Sequence, residues 1–198
     1  MPINDELIPT VMECNASQRE SDADCMHCTV RDQMLFADLD VESAQFLLSP
    51  IKHLLYSADT IIYSQGELPS ALYSLRKGLV KISMVSEDGS IRIVRLVGPG
   101  ATIGLEAILD QRYHHSAETL TAVDLCRLPV NVVKELSVQQ PDLCKRLMLQ
   151  WQAQMARADA HLVELSMGTV RERIERLLHI VGELCEKGGT EFQLPSNA

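Results

Sequence analysis

The chain has 198 residues, with 18 Lys+Arg against 27 Asp+Glu for a formal net charge of −9, and is 46% hydrophobic with few aromatics. That is ample apolar material for a core, yet no apolar run is long enough to span a bilayer, so no membrane partner is expected. The N-terminus shows no basic stretch leading into an apolar one, so no secretory signal is expected. A cytoplasmic location follows, where the six cysteines are reduced thiols or metal ligands.

Acids crowd the N-terminal quarter. Asp5, Glu6, Glu13, Glu20, Asp22, Asp24, Asp32, Asp38, Asp40 and Glu42 face only Arg19 and Arg31, a balance that phosphate would repel. Nothing in the chain forms a basic patch able to grip DNA by itself. Residues 1–24 are polar, with Asn15, Ser17, Ser21 and Asp24 favouring loop, and are expected to lack regular structure. Cys25-Met26-His27-Cys28 then places two thiols close enough for one metal or cluster. Thr29 rather than His follows Cys28, which argues against covalently attached haem. A short helical pattern covers Asp40 to Leu48 and closes at Ser49-Pro50.

From about His53 to Pro129, glycines punctuate alternating, β-branched runs. Gly66, Gly78, Gly89, Gly98, Gly100 and Gly104 separate segments such as Val80, Ile82, Met84 and Ile91, Ile93, Arg95, Val97. Asp88-Gly89 between two such runs is a strong hairpin signal. A compact antiparallel roll of short strands is expected. Gly98-Pro99-Gly100 with Gly104 lacks the strand–turn–helix setting of a dinucleotide loop, and no nucleophile elbow or paired carboxylates occur, so no enzyme is expected.

Beyond Pro129 the period changes to that of helices. Val130 to Leu136 reads as a turn or two, with Pro141 near the start of the next helix. There Leu143, Leu147, Trp151, Met155, Ala158, Leu162 and Leu165 step by three or four residues. A stripe so narrow and long suits a homodimeric two-stranded seam, the alternative being packing on the chain's own roll. A further helix carries Val170, Ile174, Leu177, Leu178, Val181 and Leu184, with Lys187-Gly188-Gly189 as its cap. Phe192-Gln193-Leu194 reads as a short strand, and Cys144 and Cys185 as core or seam residues.

Gln65-Gly66-Glu67, Leu72-Tyr73-Ser74-Leu75-Arg76-Lys77-Gly78, Glu87-Asp88-Gly89 and Gly98-Pro99-Gly100-Ala101-Thr102-Ile103-Gly104 together resemble the CRP/FNR superfamily of bacterial transcription regulators. The resemblance runs from about Phe36 to the C-terminus. It implies an α+β protein: a cyclic-nucleotide-binding-like β-roll, a long dimerisation helix and the start of a winged helix-turn-helix domain. The implied boundaries are 1–35 for a cysteine-bearing segment, 36–138 for the sensor roll, 139–167 for the dimerisation helix and 168–198 for the beginning of the DNA-binding domain. On this resemblance the chain stops short of the helix that reads bases, and the partners are a second copy, DNA and RNA polymerase.

The oxygen-sensing branch of that family holds a [4Fe–4S] cluster on N-terminal cysteines and one late cysteine, a position that Cys126 matches. Cys25 and Cys28 match the C-x-x-C, but no third cysteine follows within Thr29–Met34, so Cys14 is required as the fourth ligand. The same thiols could instead hold structural zinc, or act as a redox pair without metal. The family's cyclic-nucleotide binders carry Gly-Glu and, some ten residues later, Arg-Ser. Here Gly104-Leu105-Glu106 and His115-Ser116 stand in those places, so Leu105 replaces the glutamate and His115 the arginine. A mostly neutral imidazole is a poor substitute for a forked guanidinium, which argues against cyclic AMP or GMP. Haem on His114 or His115, or another small molecule in this pocket, stays open.

Overall fold

The computed structural model describes residues 19–24, 28, 48–109 and 111–188. Cys14, Cys25, the pattern of residues 40–47 and the strand expected at 192–194 lie outside them.

Two antiparallel sheets build the roll. Strands β1 (Arg19–Asp22), β2 (Lys52–Tyr56), β4 (Ala71–Lys77), β7 (Thr102–Ile103) and β9 (Val123–Pro129) form one, in the order β1-β2-β9-β4-β7. The other consists of β3 (Ile61–Tyr63), β5 (Val80–Val85), β6 (Ile91–Val97) and β8 (Ser116–Thr119), in the order β3-β8-β5-β6. Strand β4 is the inner strand that the composition demands. Leu72 pairs with Leu128 and Leu75 with Leu125 on alternate faces, and all four are buried, so both sides of this sheet are covered.

The expected hairpin joins β5 to β6. Gly89 sits at φ 81°, where a side chain would be strained, and the Ser90 backbone N–H donates to Asp88 Oδ1 at 2.9 Å. The simple alternation read in these two strands does not persist. A bulge between Ile82 and Ser83 shifts the register, Val80 and Ile82 stay buried, and Met84, Ile91 and Ile93 reach solvent.

Residues 19–22 depart from the expected loop. Arg19–Asp22 pair along β2, fastened by Lys52 Nζ donating to Asp22 Oδ1 at 2.5 Å and by the contact of Ser21 Oγ with His53 Nδ1 at 3.3 Å. Pairing to an existing edge overrides weak strand propensity.

Three helices follow: α1 (Val130–Gln139), α2 (Pro141–Ser166) and α3 (Val170–Gly188). Pro141 opens α2, where its missing N–H and fixed φ cost nothing. Leu143 and Leu147, expected in a dimer seam, are instead buried in the chain's own core with Val132, Val133 and Leu136 of α1. Those two positions lie where α1 and α2 pack together, so intramolecular burial captures them first. Cys144 is exposed rather than in a core, and Cys185 is buried, which raises its thiol pKa.

Candidate functional site

Two regions gather the residues singled out by sequence. The first lies on one face of the five-stranded sheet. Ser21 of β1, His53 of β2 and Cys126 of β9 are successive cross-strand partners and therefore share a face. His53 Nε2 lies 2.6 Å from Asp124 Oδ1, and Arg76 Nη1 lies 3.6 Å from the same carboxylate oxygen. Cys126 thus sits half-buried in a polar strip, whereas Leu54 and Leu125 of the opposite face are fully buried. Sequence reasoning found Cys126 but missed the strip, because His53, Asp124 and Arg76 meet only through strand pairing.

β1 leads directly toward the C-x-x-C. Neighbouring strands are about 4.8 Å apart, so Ser21 and Cys126 are separated by about 10 Å. Asp22 is still paired with Lys52, and the Ala23 backbone N–H donates to the Ile51 backbone oxygen at 3.3 Å, so the chain follows the edge of β2 as far as Ala23. Cys28 is half-buried, and neither it nor Cys126 is in a disulfide. Among the described residues no group of three or more His, Cys, Asp or Glu that could hold a metal ion is assembled.

The second region is a cavity of about 390 Å³ between the roll and α2. Gly104, Leu105, Glu106 and His115, all picked out by sequence, line it together. Gly104 has φ 76° and begins the turn into a 3-10 helix, Leu105–Leu109, where only strands were expected. Glu106 Oε1 lies 3.4 Å from His115 Nδ1. Burial pushes the Glu106 carboxyl up, but hydrogen bonds from His115 and from the backbone of Glu106 and His114 outweigh it and leave the pKa lowered. Ser116 does not join the lining: its Oγ accepts the Gln65 backbone N–H at 2.9 Å.

Arg95, Thr102, Trp151, Gln154 and Met155 also line the cavity, and of these sequence had flagged only Trp151 and Met155, as seam residues. Ala158 and Leu162 of that stripe line the cavity too. Gln154 Nε2 donates to the Thr102 backbone oxygen at 2.7 Å and Arg95 Nη1 to Gln154 Oε1 at 3.4 Å, tying α2 to β6 and β7. Leu165 lies further along α2, half-buried.

Comparison with known proteins agrees with this architecture. The model of the cyclic nucleotide-binding domain family matches residues 53–140. The chain is similar to an anaerobic regulatory protein of Aggregatibacter actinomycetemcomitans, 24% identical over 137 residues that cover 68% of this chain and 53% of the relative. It is also similar to the transcriptional activator protein FnrA of Stutzerimonas stutzeri, 25% identical over 178 residues, 87% of this chain and 72% of that protein. Among solved structures, a CRP-family transcriptional regulator from Thermus thermophilus superposes with a TM-score of 0.58 at 28% identity, over 66% of this chain and 64% of the other. The chain spans about half the length of the first of these relatives, 53%. Among the described residues no helix is long and apolar enough to cross a membrane.

Proposed function

We propose that this chain, similar to CRP/FNR-type regulators over most of its length, is the sensor part of a homodimeric transcription regulator of the CRP/FNR superfamily, governed by a redox or gas signal through a cysteine-ligated iron–sulfur cluster. The relatives are named as regulators, and the chain is not an enzyme. The observation that carries the proposal is the position of Cys126. It shares a sheet face with Ser21, two strands away, on the strand that runs into Cys25-Met26-His27-Cys28.

The donor set suits such a group. Cys28 and Cys126 are thiols outside any disulfide, and soft thiolates are the ligands that iron–sulfur clusters select. Cys14 and Cys25 complete the four. When bound, the cluster would supply iron redox chemistry whose potential follows from nearby hydrogen bonds and solvent access. The chain's own part is to bring one late strand cysteine to the N-terminal thiols. Gain or loss of the cluster would then shift how the helix carrying Leu143–Leu165 pairs, a two-state element biased by a ligand.

Residues 36–138 are assigned to sensing, 139–167 to pairing and 168–198 to the beginning of the DNA-binding part. Support for pairing comes from α2. Met148, Met155 and Leu162 recur every seven residues and are exposed, and Trp151, Ala158 and Leu165 follow each by three. That is the a/d spacing of a two-stranded seam, starting one turn later than the sequence stripe. DNA contact falls to the family's helix-turn-helix, with RNA polymerase as its partner. Anaerobic purification, with iron and acid-labile sulfide assayed before and after exposure to air, tests the reading. Iron and sulfide in matching amounts that are lost in air support it, and a colourless protein with stoichiometric zinc contradicts it.

A further inference from the structure

The cavity between the roll and α2 carries its arginine on β6, at Arg95, and not at the position of His115. Its formal charges are Arg95, Glu106 and Asp159. Glu106 is matched by His115, whose side chain at 20% exposure is itself largely covered. Arg95 is different: among the described residues no carboxylate lies within ion-pair distance of its guanidinium, and its hydrogen bond is the 3.4 Å contact with neutral Gln154. A half-buried guanidinium with no carboxylate within ion-pair distance keeps donors available to an anionic group in the cavity, although Glu106 and Asp159 lie elsewhere on its wall. Thr102 is fully buried, and its Oγ1 has no hydrogen-bond partner. The rest of the surface is apolar, from Ile103, Leu105, Trp151, Met155 and Leu162.

We propose that this cavity binds a small amphipathic monocarboxylate, its acid group on the Arg95 guanidinium beside Thr102 and its apolar body against Trp151, Met155 and Leu105. The proposal rests on the reading of the chain as a sensor and names a ligand class for its second site. A guanidinium meets a carboxylate through two parallel hydrogen bonds. One cation neutralises one charge, so a doubly charged phosphate monoester would leave an excess anion beside Glu106 and Asp159. A neutral molecule of the same shape would leave Arg95 unmatched. The cyclic nucleotide fares no better, since its ribose and phosphate partners are replaced by Leu105 and His115.

Trp151 is the chain's single tryptophan and lines the cavity, so its fluorescence reports occupancy without a label. The whole chain is titrated with octanoate, octanol, octyl phosphate and cyclic AMP. Saturable binding of octanoate is expected, with octanol, octyl phosphate and cyclic AMP each at least about tenfold weaker, the usual consequence of losing a charge-assisted hydrogen bond. Arg95→Gln should weaken octanoate by about tenfold or more while leaving octanol unchanged, and Arg95→Lys should recover only part of the loss. Equal binding of octanol and octanoate, tighter binding of octyl phosphate or cyclic AMP, or full octanoate affinity in a folded Arg95→Gln protein would overturn the proposal. Absence of any saturable signal at millimolar octanoate would overturn it too. None of these results bears on the iron and sulfide assay, so the two readings fail separately.

Discussion

Gln154 of α2 donates to the backbone oxygen of Thr102 in β7 at 2.7 Å, and this one bond joins the long helix to the wall of the cavity. The same amide accepts from Arg95. The long helix is therefore held by a side chain that also orients the cavity's cation. Gln154→Leu removes both bonds at nearly constant bulk. Stability should fall by about 1 kcal/mol, the net worth of one such bond, measured as a lower urea midpoint followed by Trp151 fluorescence. An unchanged midpoint would mean that α2 docks through Leu143 and Leu147 alone.

Glu106 predicts a pH dependence. Its carboxyl pKa is lowered in the fold below the ordinary 4.5 because hydrogen bonds from His115 and the backbone outweigh the opposing effect of burial. A depressed folded value means a contribution that is complete above the unfolded pKa and is lost as pH falls through the folded one. Glu106→Gln has no carboxylate to protonate, so its denaturation midpoint should fall less steeply than the parent's in that acid window. Identical acid slopes for the two proteins would show that Glu106 contributes nothing.

Two glycines with similar backbone angles should respond differently to alanine. Gly78 has φ 88°, and an added Cβ would lie 2.4 Å from the Ala122 backbone oxygen; Gly66 has φ 83° with nothing within 4 Å. Gly66→Ala bears the left-handed strain alone, about 1 kcal/mol. Gly78→Ala adds an overlap that a backbone atom cannot easily relieve, for about 3 kcal/mol or more in total. Equal losses in urea titrations would contradict the packing around Ala122.

The proposed seam is testable at Met155. This residue is 48% exposed, so Met155→Glu should leave the roll folded while placing like charges across a pairing interface. Sedimentation equilibrium should show the parent as a dimer and the variant as a monomer at micromolar concentration. A variant that keeps the dimer mass would move the interface off this stripe. Leu147→Glu should behave otherwise: Leu147 is 8% exposed in the core, and its substitution should unfold the chain.

What sequence conveyed, and what it did not, follows from range. The Asp88-Gly89 hairpin was legible because the demand for positive φ is local to one residue. The roll from His53 to Pro129 and the helix through Leu143 and Leu165 were legible from periodicity. That periodicity identified an apolar stripe but could not say what covers it, so Leu143 and Leu147 read like Met155 and Leu162 until α1 was in place. Strand Arg19–Asp22 gave no signal, since its polar residues pair only because the edge of β2 is there to receive them. Exposed Ile91 and Ile93 broke the expected alternation because β6 is the edge strand of its sheet and its first four residues are exposed on both faces. At the candidate sites, Leu105 and His115 were found from neighbouring motifs. Arg95, Thr102 and Gln154 come from three separate elements and meet only in the folded chain.

The most direct test of the central claim is iron bound per chain after anaerobic reconstitution, comparing the parent with Cys126→Ala. Cys126 is half-buried on a strand paired on both sides, so the alanine should not disturb the fold, and circular dichroism checks that it does not. The account predicts cluster iron and sulfide in the parent and their loss in the variant. A folded Cys126→Ala protein that retains the parent's full iron and sulfide would contradict it.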